Sequence, residues 1–106
     1  MVSVTQPVNG LFGAKIIPDG YGFVLNNEMD DFSANPESPN AIAGNKVPLS
    51  SMSPTVVLKE DGSPFMVLGS PGATKIITTV TQIISNVIDF DMSMQEAIDA
   101  PRLYNN

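Results

Sequence analysis

Four short stretches carry residue types that could do chemistry. In NNEMDDF, 26–32, two amides and three carboxylates fall within six residues, with no Lys or Arg among them. Oxygens gathered in that way suit a cation, either a metal ion or a substrate ammonium, although the spacing lacks the alternating acidic ligands and central glycine of an EF-hand loop. The plainer reading is a solvated, capped strand end. In PLSSMSP, 48–54, two prolines bracket three serines and a methionine. Proline fixes its own φ and restricts the residue before it, so little freedom is left between Pro48 and Pro54. The hydroxyls either satisfy nearby backbone groups or are donors held for a ligand. In GSPGA, 69–73, the chain passes from a predicted strand into a predicted helix. N–H groups at a helix start are unpaired and lie at the positive end of the dipole, so Gly72 and Ala73 suit an anion or a developing oxyanion. An ordinary strand-to-helix turn explains them equally simply. Asn9, just beyond the first predicted strand, reads by itself as a turn residue.

Taken together, these stretches describe a charge pattern rather than a catalytic dyad. One wall is acidic and rich in amides, fit for an ammonium; the other offers neutral hydroxyl and N–H donors, fit for a carboxylate or oxyanion. A molecule carrying both groups is an amino acid. A nucleophile with its base is missing. The sequence has no His and no Cys, which removes disulfides, thiolate nucleophiles, ordinary zinc sites and any serine triad whose imidazole comes from this chain. Ser and Thr residues lack a Lys three positions on, and Gly69 begins GSPG rather than a GxSxG elbow. A net charge of −6 argues against nucleic acid, whose binding rests on Lys and Arg neutralising phosphates, and against anionic lipid. No cofactor and no metal is expected.

The elements that must position these groups follow from patterning. At 106 residues a single domain is expected, spanning 1–106. VSVTQPV at 2–8 alternates as a strand whose end Pro7 confines to an edge. LFGAKII at 11–17, Pro18-Asp19-Gly20 and YGFVLNN at 21–27 read as strand, turn and strand. Residues 33–54 hold four prolines and no periodicity; a loop of that length in a small domain is functional or disordered. TVVLK, Glu60-Asp61-Gly62-Ser63 and PFMVLG signal a hairpin, with Asp-Gly supplying a positive φ. Over 70–90, Ile76, Ile77, Val80, Ile83, Ile84, Val87 and Ile88 fall on one helical stripe, opposite a polar, uncharged face of Thr78, Thr79, Thr81, Gln82, Ser85 and Asn86. A solvent-facing helix usually carries Lys and Glu there, so the face is expected to lie under another layer. Only 15% of all residues are charged, which points the same way. A second helix is expected from the capping-box spacing of Ser93 and Glu96, stopped by Pro101. The order is α+β: a mostly antiparallel sheet with two helices packed on one face. The longest apolar run is far short of a membrane span, and Met1-VSVTQPV has no signal-peptide pattern, which leaves the compartment open.

Read in order, VLNNEMDDFS at 24–33, PLSSMSPT at 48–55, GSPGA at 69–73, IITTV at 76–80 and EAIDAPR at 96–102 resemble the γ-glutamyltransferases (γ-glutamyltranspeptidases). The resemblance covers essentially the whole chain. It implies an N-terminal-nucleophile hydrolase fold, a four-layer αββα sandwich, in which a precursor cleaves itself into large and small subunits. The new N-terminal Thr then takes the γ-glutamyl group of glutathione or a related compound and passes it to an amino acid, a peptide or water. This chain corresponds to an internal part of the small subunit, beginning after that Thr. Without a TTH-type segment, the polypeptide alone is not expected to catalyse the reaction; the alternative is a non-catalytic amino-acid-binding or interaction module.

Carried over by position, the resemblance assigns Asn9, Glu28 and Asp31 to the α-amino group of the γ-glutamyl moiety. Ser50 and Ser51 match the pair that hydrogen-bonds its α-carboxylate, beside an Arg of the large subunit. Gly72 and Ala73 match the residues whose backbone N–H groups form the oxyanion hole. There are departures. Pro7 stands where a hydroxyl residue usually assists the nucleophile, Ala73 replaces the usual second glycine, and Lys75 sits where Arg is common. The expected partners are γ-glutamyl compounds such as glutathione and the large subunit or remainder of the precursor. The isolated chain is expected to self-associate.

Overall fold

The hairpin forms where alternation and turn chemistry agree. In the computed structural model, which describes residues 1–105, β1 (Thr55–Leu58) and β2 (Pro64–Leu68) pair antiparallel. Thr55 lies opposite Leu68 and Val57 opposite Met66, and the register slips after Val57. The connecting turn closes with Lys59 N–H donating to the Ser63 carbonyl at 2.8 Å, Gly62 N–H to Lys59 at 2.9 Å, and Ser63 N–H to Asp61 Oδ1 at 2.8 Å. Gly62, at φ 78°, supplies the left-handed position.

Two helices follow, α1 (Lys75–Ile88) and α2 (Met94–Asp99). β-branched residues fill α1, so tertiary packing rather than propensity must hold it. Ile76, Val80 and Ile83 are buried, while Ile77 and Ile88 at the stripe's margins are exposed. Residues on the polar face satisfy themselves: Thr78 and Thr81 hydroxyls donate to the carbonyls of Lys75 and Ile77, at 3.0 and 2.9 Å. Gln82 donates to the Leu103 carbonyl and accepts from its N–H, both at 2.8 Å. α2 begins with the expected capping box, Ser93 N–H donating to Glu96 Oε2 at 2.8 Å and Glu96 N–H to Ser93 Oγ at 3.3 Å. The Ser93 hydroxyl, donating to Glu96 Oε2 at 2.7 Å, and then the Ser93 N–H hold the Glu96 carboxyl below its ordinary value. Met66, the α1 residues and Ala97 of α2 form the buried core. Elements and order are therefore α+β.

The chain divides into two compact units, one of residues 1–5 with 51–106 and the other of residues 6–50. The hairpin and both helices belong to the first. The second consists of turns, one short 3₁₀ helix at Glu28–Asp31 and an isolated bridge between Ser33 and Ala41. Among the described residues, strands do not form at 2–8, 11–17 or 21–27. Phe12, Gly13 and Lys15 have φ of 65°, 52° and 58°, a left-handed backbone that no extended strand accommodates. What survives of that pairing is Ala14 N–H to the Leu25 carbonyl and Leu25 N–H to the Ile16 carbonyl, both at 2.9 Å. A Cβ on Gly13 would stand 2.4 Å from the Leu25 carbonyl oxygen, so this close approach needs glycine. The turn expected at Pro18-Asp19-Gly20 does form, closed by Tyr21 N–H on the Pro18 carbonyl at 3.2 Å. Val2 and Val4 are 80% and 81% exposed; alternation makes a strand only where a neighbour completes the ladder. Among the described residues, no helix is long and apolar enough to cross a membrane.

Candidate functional site

Asn26 and Asn27 build the acidic turn. Asn26 Oδ1 accepts from Glu28 N–H at 3.0 Å, an Asx turn that starts the 3₁₀ helix. Asn27 Oδ1 accepts from Asn9 N–H at 2.8 Å, and Asn9 Nδ2 donates to Asp31 Oδ1 at 2.7 Å. Asn9, which its position alone marks only as a turn residue, is thus fastened to the carboxylate cluster by backbone and side chain.

Glu28 is half-buried, and its Oε2 is shielded from water without a hydrogen-bond partner. Burial, and then the charge and shared hydrogen bond of Asp31, push its carboxyl above the ordinary value of 4.5, against a hydrogen bond from the Ser50 hydroxyl that lowers it. Asn9, Glu28, Asp31 and Ser50 are therefore neighbours within the unit of residues 6–50. No Lys or Arg occurs between Asn26 and Asn45. Among the described residues, no group of three or more His, Cys, Asp or Glu side chains has the arrangement to hold a metal ion.

The boundary between the units falls between Ser50 and Ser51, so Ser51, Gly72 and Ala73 belong with the hairpin and helices. Of the serines that follow Pro48, Ser53 serves the backbone, its hydroxyl donating to the Ser51 carbonyl at 3.1 Å. Ahead of α1, Gly72 and Ala73 have φ of 129° and 50°. Their carbonyls accept from Lys75 and Ile76 N–H, each at 3.0 Å. Thr74, the N-cap, makes no side-chain cap bond. Both residues thus lie at positive φ, where the chain turns from β2 into α1.

Comparison with known proteins identifies the family. The family model described as gamma-glutamyltranspeptidase matches residues 1–106. The chain belongs to the gamma-glutamyltranspeptidase family. It is 47% identical over 114 residues to the glutathione hydrolase proenzyme of Escherichia coli K12, covering 98% of this chain and 20% of that protein. With the glutathione hydrolase proenzyme of Bacillus subtilis 168 it shares 43% identity over 106 residues, 100% of this chain and 18% of the relative. Among solved structures, a mutant gamma-glutamyltranspeptidase of Helicobacter pylori superposes with a TM-score of 0.83 at 53% identity, over 99% of this chain and 61% of that one. The Pseudomonas nitroreducens gamma-glutamyltranspeptidase complexed with L-DON gives 0.84 at 39% identity, over 99% and 59%. The chain thus spans about a fifth of the length of these curated relatives, and corresponds to part of a gamma-glutamyltranspeptidase.

Position in the sequence does not reveal Asn40. Its Nδ2 donates to the Asp31 carbonyl at 2.7 Å, its Oδ1 accepts from Leu49 N–H at 3.0 Å, and its carbonyl accepts from Ser33 N–H at 2.9 Å. The available signal is Ser38-Pro39-Asn40, three turn formers in a row, but turn chemistry does not say which distant groups an amide will reach.

Proposed function

We propose that this chain carries the γ-glutamyl binding corner of a gamma-glutamyltranspeptidase. The single observation that supports this most is the cluster of Asn9, Glu28, Asp31 and Ser50. A shielded Glu28 Oε2 without a donor, beside Asp31 and far in sequence from any cation, is an environment an ammonium improves. In this reading Asn9, Glu28 and Asp31 hold the α-amino group of the γ-glutamyl moiety, and Ser50 with Ser51 donates to its α-carboxylate. Residue by residue from the family resemblance, Gly72 and Ala73 supply backbone N–H groups to the oxyanion.

The reaction is acyl transfer. The hydroxyl of the N-terminal Thr, which the resemblance puts upstream of these residues, adds to the γ-carbonyl carbon. The carbonyl oxygen takes the charge, where Gly72 and Ala73 N–H groups meet it. The amine leaves with a proton, and an amino acid, a peptide or water then takes the γ-glutamyl group from the threonine ester. The chain forms part of one αββα sandwich domain, covered by the large subunit or the remainder of the precursor.

Calorimetric titration of the intact protein with L-glutamate tests the reading. Asp31→Asn and Ser50→Ala are each expected to weaken binding roughly tenfold or more, since hydrogen bonds to charged groups contribute about 1.5–3 kcal/mol. No heat at millimolar L-glutamate would overturn it.

A further inference from the structure

We propose that Asn40 is a positioning residue that holds Asp31 and Ser50 in the register needed to grip one amino acid. It rests on the reading of Asp31 and Ser50 as ligand contacts. Those two residues are nineteen positions apart, and the segment between them contains Pro36, Pro39, Pro48 and Gly44 with no regular element. A loop of that kind does not by itself fix the separation of its ends. Asn40 does so from the middle. One side-chain amide donates to the carbonyl of Asp31, the last residue of the 3₁₀ helix, and accepts from the N–H of Leu49, the residue immediately before Ser50.

The backbone of Asn40 reinforces the clamp. Its carbonyl accepts from Ser33 N–H at 2.9 Å, and its N–H donates to Ser38 Oγ at 3.1 Å. Beside it, Lys46 Nζ donates to the carbonyls of Pro39 and Ala41, folding the remainder of the loop back on the same point. Asn40 is half-buried, and its bonds to the Asp31 carbonyl and the Ser38 hydroxyl are partly shielded, so those two compete with water less than surface ones do. Asparagine suits the task because both ends are backbone groups of opposite polarity. An aspartate has no donor for the Asp31 carbonyl, and a leucine has neither donor nor acceptor.

Non-additivity is the signature of positioning. The intact protein is titrated with L-glutamate as wild type, Ser50→Ala, Asn40→Ala and the double variant. Ser50→Ala is expected to weaken binding roughly tenfold in the wild-type background. In the Asn40→Ala background, where Ser50 is already displaced, the same change is expected to cost less than about twofold. Ala97→Gly, which weakens a helix remote in sequence from the loop, serves as the control for mere loss of stability: on it, Ser50→Ala keeps its full effect. Should Asn40→Ala not fold, Asn40→Asp gives the same test, because it removes the donor facing the Asp31 carbonyl. Full additivity of Ser50 and Asn40 would overturn the positioning role while leaving the binding corner intact. A Ser50→Ala effect absent from wild type would overturn both.

Discussion

At the scale of single residues, Glu28 dominates the electrostatics of the cluster it forms with Asp31 and Ser50. Burial and the neighbouring Asp31 both favour its protonated form, so the folded carboxyl titrates above 4.5. The folded state therefore holds this proton more tightly than the unfolded chain. Its contribution to stability is complete below pH 4.5 and is lost as pH rises through the higher folded value. An arriving ammonium reverses the preference, because a positive charge favours the carboxylate. Binding of L-glutamate just above pH 4.5 is thus expected to release a fraction of a proton beyond that of the Glu28→Gln variant. The excess falls away as pH rises through the raised folded value and Glu28 ionises without the ligand. Calorimetry in buffers of different ionisation enthalpy measures it. Equal proton release by both proteins would count against Glu28 as an ammonium contact.

At the scale of elements, the turn between β2 and α1 carries backbone strain. Ala73 at φ 50° occupies a region that costs an L-residue about 1–2 kcal/mol, whereas Gly72 at φ 129° has no side chain to strain. Ala73→Gly is expected to gain about 0.5 kcal/mol, the relief being partly offset by the greater freedom of an unfolded glycine. Gly72→Ala is expected to lose about 1 kcal/mol or more. A Cβ there would meet Lys75 Cβ at 3.5 Å, an ordinary contact, so that loss comes from the backbone and not from a clash. Denaturant midpoints for the two variants decide it, and a destabilised Ala73→Gly would remove strain from the account.

The same scale explains what was legible in the sequence. The hairpin, the α1 stripe and the Ser93–Glu96 box were readable because each is specified within a few residues. The absence of strands at 11–17 and 21–27 was not readable, because Phe12 and Lys15 adopt left-handed φ that nothing in their side chains announces. Glu28, Asp31 and Ser50 stood out by type and by an order of motifs shared with a family, whereas Asn9 reads by itself as a turn residue and gains a role only from the resemblance. Asn40 stayed hidden, since an amide's partners nine residues to either side are set only once the loop has closed.

For the whole molecule, the decisive property is apolar surface left uncovered. Leu11 and Val47 are each 83% exposed, Phe12 74% and Phe90 67%. Single exposed apolar residues are ordinary, but many together mark surfaces that another layer covers. The isolated 106-residue chain is accordingly expected to associate with itself, its apparent mass rising with concentration in sedimentation. A strictly monomeric profile at high concentration would show that the chain tolerates this exposure unaided.

The two-stranded ladder has a consequence of its own. In antiparallel pairing, half of each strand's amides and carbonyls turn away from the partner, so the outer side of Thr55–Leu58 is a row of unspent valences with Val56 and Leu58 facing water. Such a rim is an unfinished seam. Whichever extended peptide arrives first, whether from a neighbouring subunit or from a misfolded copy, can be stitched onto it, and the fate of the chain then depends on which of them wins that race.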